Sequence, residues 1–80
     1  MARYGKTSKL SPVNVLEKSL SFFGPGGLDL NVKEQTVARA AFEGGGGYVV
    51  VLMTPVDEGT EVEVASREWD YQVEQFLQQI

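Results

Sequence analysis

The chain has 80 residues, a net charge of −4 and neither cysteine nor histidine. A chain of this length forms at most one domain, and it buries only about two thirds of its unfolded surface. Without cysteine or histidine, disulfides, the usual zinc sites and the Ser-His-Asp and Cys-His catalytic templates are excluded. We therefore expect a single domain over residues 1–80 and no cofactor, and the sequence by itself identifies no activity.

The charge is unevenly distributed along the chain. Residues 1–40 hold six basic and three acidic groups, whereas residues 41–80 hold one basic and eight acidic groups. The two halves should attract each other within one fold, and the acidic total disfavours nucleic acid as a partner. The basic start lacks the apolar stretch of a signal peptide, and the longest apolar run, 48–53, is too short to span a bilayer. We expect a cytoplasmic protein that does not contact a membrane.

The first predicted helix covers residues 12–23. Ser11 can cap the free amides of its first turn, and Pro12 fits the next position because its missing N–H would be unpaired there. The apolar residues that follow share one face, at spacings of three and four: Val13, Leu16, Leu20 and Phe23. Gly24-Pro25 ends the helix, since glycine can take the left-handed conformation and proline cannot continue the hydrogen bonding.

Four later segments have strand patterns. Alternation of apolar and polar residues predicts strands at 28–33, 37–43 and 61–66, and the β-branched run at 48–54 predicts a central strand covered on both faces. Residues 2–10 are compatible with one further short strand. The glycine run 44–47 predicts a hairpin loop, because it lies between two strands and no Lys-Ser or Lys-Thr pair follows it.

The last predicted helix runs from about residue 67 to residue 80. Ser66 can cap it, and Glu68 and Asp70 fall in its first turn, where the helix dipole favours acids. An apolar stripe follows at helical spacing: Trp69, Val73, Phe76, Leu77 and Ile80.

The element order (β)-α-β-β-β-β-α predicts an α+β fold. The expected architecture is a two-layer sandwich, in which both helices cover one face of a four- to five-stranded antiparallel sheet. We place the first strand beside the last strand, because opposite charges would then approach across the strands. The residues concerned are Arg3, Lys6 and Lys9 on one side and Glu58, Glu61 and Glu63 on the other.

This element order resembles the TATA-box-binding-protein-like fold, and it also resembles a shortened helix-grip domain of the START-like kind. The resemblance covers nearly the whole chain and includes no sequence motif of either family. The first family implies DNA binding on the sheet, which the acidic sheet residues oppose. The second implies a small apolar cavity between the sheet and the C-terminal helix.

The apolar run 48–53 carries the main functional hypothesis. Only one face of this strand can meet the helices. The open face therefore carries one of two sets, either Tyr48, Val50 and Leu52 or Val49, Val51 and Met53. We assign the interface residues as Tyr48, Val49, Val51 and Met53. The charged residues expected around them are Glu61, Glu63, Arg39 and Lys33, which gives the dry centre and charged rim of a protein contact. The hypothesis is a non-catalytic binding module that forms a homodimer.

Two alternatives remain. The first is a carrier of small apolar ligands, with a pocket between the C-terminal helix and the sheet formed by Trp69, Tyr71, Phe76 and Phe42. The second is a carboxylate-dependent enzyme, since Glu61 and Glu63 project from the same side of a strand and could bind Mg²⁺ or act as acid and base. No metal ligand or catalytic residue is assigned.

Overall fold

A computed structural model describes residues 2–80. Its elements are β1 Ala2–Ser8, α1 Pro12–Phe23, β2 Asn31–Gln35, β3 Arg39–Gly44, β4 Gly47–Val56, β5 Gly59–Arg67 and α2 Asp70–Gln79. The five strands form one antiparallel sheet in the order β1-β5-β4-β3-β2, and the helices pack with it around a single core. The predicted α+β class and the position of the first strand beside the last one are confirmed.

The N-terminal helix begins and ends as its sequence predicts. The hydroxyl of Ser11 accepts a hydrogen bond from the Asn14 amide at 3.3 Å, and the amide of Gly24 donates to the Leu20 carbonyl. The side chains of Val15, Ser19 and Phe23 are buried at a spacing of four residues. Val13, which was predicted to lie on the buried stripe, is 50% exposed because the helix turns the Val15 row towards the sheet.

The strands β2 and β3 begin later than predicted. Residues 28–30 instead wrap around the end of α1, where the amides of Leu28 and Leu30 donate to the carbonyls of Phe22 and Phe23. These bonds satisfy carbonyl groups that the last turn of a helix leaves free. A turn built around the hydroxyl of Thr36, which accepts from the amides of Ala38 and Arg39, delays the start of β3.

The C-terminal helix begins at Asp70, three residues later than predicted. The pairing of β5 with β4 continues to Arg67, and Glu68 has a φ of 72°, which a right-handed helix excludes. Ser66 is therefore a strand residue and not the helix cap. The N-cap position is occupied by Trp69, which makes no side-chain capping bond.

The predicted charge pairs between β1 and β5 do not form within the described residues 2–80. There the ion pair within 4 Å is Arg39 with Glu34, on neighbouring strands β3 and β2. Lys6 lies opposite Val62, and its ammonium group donates to the Leu77 carbonyl of α2 at 2.7 Å. The placement of β1 is right, but Lys6 points towards the helix and not towards the glutamates of β5.

The β3–β4 hairpin uses its glycines to make a two-residue turn. Gly45 and Gly46 have φ values of 58° and 80°, as expected for a turn that matches the twist of a hairpin. The indole of Trp69 packs on this turn, and its Nε1 donates to the carbonyl of Gly44 at 2.9 Å. The turn is thus attached to the start of α2.

Substitution of these two glycines separates backbone strain from crowding. Gly45→Ala and Gly46→Ala both force alanine to a positive φ, which costs about 1–2 kcal/mol. A Cβ atom at Gly45 would also lie 2.8 Å from Cζ2 of Trp69, whereas a Cβ atom at Gly46 meets nothing within 4 Å. In urea unfolding we expect Gly45→Ala to lose more stability than Gly46→Ala. Equal losses would contradict the tight contact between the indole and the turn.

Candidate functional site

The candidate site is the face of the sheet opposite the helices, which we call the open face. Its centre is apolar: Tyr48, Val50 and Leu52 of β4, Ala41 of β3 and Ala65 of β5. Val50 pairs with both alanines, so these three small or branched side chains form one row across the sheet. All except Ala41 are partly exposed.

The structure decides which side of β4 faces the helices. Val49 and Val51 are 0% exposed and Met53 is 3% exposed, and all three lie in the hydrophobic core. The assignment of these three residues to an interface is therefore wrong. Tyr48 lies on the open face as assigned, and the residues that accompany it there are Val50 and Leu52.

Charged residues surround the apolar centre. Tyr48 pairs with Glu43 on one side and Arg67 on the other, and Leu52 pairs with Arg39 and Glu63. Farther out on the row of Val50 lie Arg3 and Glu34. We call these six residues the charged rim: Arg3, Arg39, Arg67, Glu34, Glu43 and Glu63. The rim has three charges of each sign.

Sequence reasoning named two members of this rim, Arg39 and Glu63, and missed the others. Glu43 lies inside the predicted strand 37–43, and Arg67 lies one residue beyond the predicted strand 61–66. Following the period-two alternation of both strands, with the second extended by one residue, would have placed them on the open face.

Two shallow hollows lie on the open face, with volumes of about 320 and 270 Å³. Both are bordered by Tyr48, Val50 and Arg39; one extends over β3 towards Glu43, and the other extends over β5 towards Ala65. The face is therefore contoured, with one hollow on each side of β4.

The predicted ligand pocket lies in a region that aromatic side chains fill. Phe42 and Phe76 are 0% exposed, and the ring of Phe23 lies between them at centroid distances of 5.4 and 5.0 Å. Trp69 packs on the hairpin turn and against the edge of the hydrophobic core. Tyr71 is 67% exposed, and its hydroxyl accepts from Gln75. The structure thus brings together Phe42 and Phe76 but not all four predicted residues.

The paired carboxylates Glu61 and Glu63 project from the open face, opposite Thr54 and Leu52. Within residues 2–80, no group of three or more Asp, Glu, His or Cys side chains is arranged to hold a metal ion.

Over the same stretch, neither helix combines the length and the apolar character needed to cross a membrane.

On the face of the sheet that the helices cover, side chains of the edge strand β1 hold α2 in place. In addition to the bond from Lys6, the hydroxyl of Ser8 donates to the Ile80 carbonyl at 2.9 Å. Tyr4 is partly buried, near Asp70 and Glu74 of α2. Desolvation raises the pKa of its phenol above the usual value of about 10, and the two carboxylates raise it further.

Comparisons with known proteins gave no match from family models, from curated sequences or from solved structures. The resemblance in element order to the TATA-box-binding-protein-like and START-like folds therefore stays a prediction.

The raised pKa of Tyr4 predicts a loss of stability in alkaline solution. Because the folded-state pKa exceeds the unfolded one, the stabilisation is complete below about pH 10 and is lost as the pH rises through the folded-state pKa. Tyr4→Phe removes this titration, so its urea midpoint should fall less than that of the parent protein above pH 10. Tyr71→Phe, which removes an exposed phenol of α2, is the control for the loss of a tyrosine hydroxyl. An unchanged decline in Tyr4→Phe would refute the assignment.

The buried hydroxyl of Ser66, on β5 opposite Val49, gives a second test of what stabilises the fold. Ser66 is 0% exposed, and its Oγ has no hydrogen-bond partner among residues 2–80. An unpaired buried polar group costs about 1–3 kcal/mol, so we expect Ser66→Ala to raise the free energy of unfolding. The control is Thr60→Val on the same strand, because Thr60 donates to the Leu10 carbonyl at 2.8 Å and its loss should destabilise. Equal destabilisation by both variants would show that Ser66 is satisfied.

Proposed function

We propose that this protein is a non-catalytic interaction module that self-associates through the open face of its sheet. The observation that supports this most is the position of Tyr48, Val50 and Leu52, in the middle of a face that lies opposite both helices. A partly exposed apolar centre within a charged rim is typical of protein–protein interfaces.

A second copy of the chain suits this face because of its charge. The whole chain carries −4, so two copies repel each other at long range. The charged rim, however, has equal numbers of arginines and glutamates, and outside the rim the open face adds one acid, Glu61, and one base, Lys33. Two such faces can therefore meet without net repulsion. Nucleic acid would instead meet the four glutamates of the open face, which are Glu34, Glu43, Glu61 and Glu63.

The size of the face predicts a weak dimer. Five strands spaced by about 4.8 Å, with about six residues of 3.4 Å each, give a face of roughly 20 by 20 Å. This projected area of roughly 400 Å² is below the 800 Å² of accessible surface that each partner of a stable complex usually buries. We therefore expect a weak, transient dimer and not a permanent one.

The ligand-carrier alternative has less support. It requires space between α2 and the sheet, where the rings of Phe23, Phe42 and Phe76 are in contact. The carboxylate alternative depends on Glu61 and Glu63, whose surroundings on the sheet include Leu52 and Thr54.

Val50→Lys tests the proposal directly. Val50 lies at the middle of the open face, so two lysines would meet at the centre of a dimer and be desolvated together. Sedimentation equilibrium between about 5 and 500 µM should show the parent protein approaching twice its mass of 8.8 kDa, with association of the variant weakened about tenfold or more.

The matched control is Val13→Lys, which adds the same charge at an exposed valine of α1. It should associate as the parent protein does, and circular dichroism should show that both variants are folded. A parent protein that stays monomeric throughout, or an equal effect of the two variants, would refute self-association through this face.

A further inference from the structure

The signs of the charged rim alternate around Val50. Glu43 and Arg67 lie on opposite sides of Tyr48, whereas Arg39 and Glu63 lie on opposite sides of Leu52. On β3 the acid is therefore beside Tyr48 and the arginine beside Leu52, and on β5 this order is reversed. Each diagonal of the face joins two residues of the same sign.

We infer that a second copy binds about a two-fold axis that runs along β4, an inference that rests on the proposed self-association. When two identical faces meet, their two-fold axis lies in the plane between them. Each residue of one copy then faces the residue of the other copy that lies at the same distance on the opposite side of the axis. With the axis along β4, the β3 residues of one copy lie opposite the β5 residues of the other.

This axis brings opposite charges together throughout the charged rim. Glu43 lies opposite Arg67 of the second copy, and Arg39 lies opposite Glu63 of the second copy. The outer strands add Arg3 opposite Glu34 of the second copy. Every pair occurs twice by symmetry. Between them, Ala41 meets Ala65, while Tyr48, Val50 and Leu52 meet their own counterparts on the axis.

Other axes through Val50 bring like charges together. An axis across the strands places Arg3 opposite Arg3 and Glu34 opposite Glu34 of the second copy, although the inner pairs remain complementary. A diagonal axis places arginine on arginine or glutamate on glutamate at the corners. Like charges that face each other in an interface disfavour that arrangement.

The geometry also agrees with how sheets pack. A two-fold axis close to the direction of β4 makes the two copies of this strand run in nearly the same direction, as in aligned sheet packing, where strands lie within about 30° of each other. Packed sheets lie about 10 Å apart, and arginine and glutamate side chains at the rim can together span that distance.

Charge reversal distinguishes the axes. Arg39→Glu alone creates a repulsive pair for either axis. If the axis runs along β4, the new glutamate faces Glu63 of the second copy. If the axis runs across the strands, it faces Glu43 of the second copy. The double variant Arg39→Glu/Glu63→Arg restores attraction only if the axis runs along β4. The double variant Arg39→Glu/Glu43→Arg restores attraction only if the axis runs across the strands. Both double variants lose the ion pair between Arg39 and Glu34 of the same chain. A difference in association between them therefore cannot come from the loss of that pair.

We expect sedimentation equilibrium to show about tenfold weaker association for Arg39→Glu and for Arg39→Glu/Glu43→Arg, and near-parental association for Arg39→Glu/Glu63→Arg. A mixture of the single variants Arg39→Glu and Glu63→Arg should form heterodimers more strongly than either variant forms homodimers. Rescue by Glu43→Arg, or rescue by neither substitution, would overturn the axis. If the parent protein dimerises and Val50→Lys disrupts the dimer, such a result would overturn the axis but leave the proposed self-association standing. A monomeric parent protein would refute both the axis and the self-association.

Discussion

The burial of one side of β4 against the helices determines the orientation of the whole sheet. Val49, Val51 and Met53 enter the core, and side chains alternate along a strand while cross-strand neighbours share a face. The register of the sheet then determines, for each residue of the other strands, whether its side chain lies on the helix-covered face or on the open face. If β4 were turned over, Arg39, Glu63 and Arg67 would face the helices, and the cost of burying unpaired charges excludes that arrangement.

The second helix depends on contacts with distant parts of the chain. It lacks a side-chain cap, and its ends are held by bonds from other elements. Trp69 links its start to the β3–β4 turn, and Lys6 and Ser8 of β1 donate to carbonyls at its end. A cation near the C-terminus of a helix also interacts favourably with the helix dipole. These bonds join the first strand, the central hairpin and the last helix in a domain whose core is small.

The charged rim contributes little to this fold. Glu43 and Arg67 are separated by the width of β4, about 10 Å, and exposed charges at that distance are largely screened by salt. Under the proposed two-fold axis, the same residues would lie next to opposite charges of a second copy. Within the described part of the single chain the rim forms one ion pair, Arg39 with Glu34, and an exposed pair of this kind contributes little stability.

Local patterns in the sequence determined the two helices, four of the five strands and the antiparallel sheet, because apolar periodicity and helix-ending residues act over a few neighbouring positions. Element boundaries depended on pairing: β5 continues to Arg67 since Tyr48 lies opposite it, and α2 starts later as a result. The site was only half predictable. Both sides of the 48–53 run are apolar, so the sequence alone determined that one side lies open but not which one. Only the tertiary structure decided that Val50 and Leu52 face outward, because that choice depends on charged neighbours that register brings from β3 and β5.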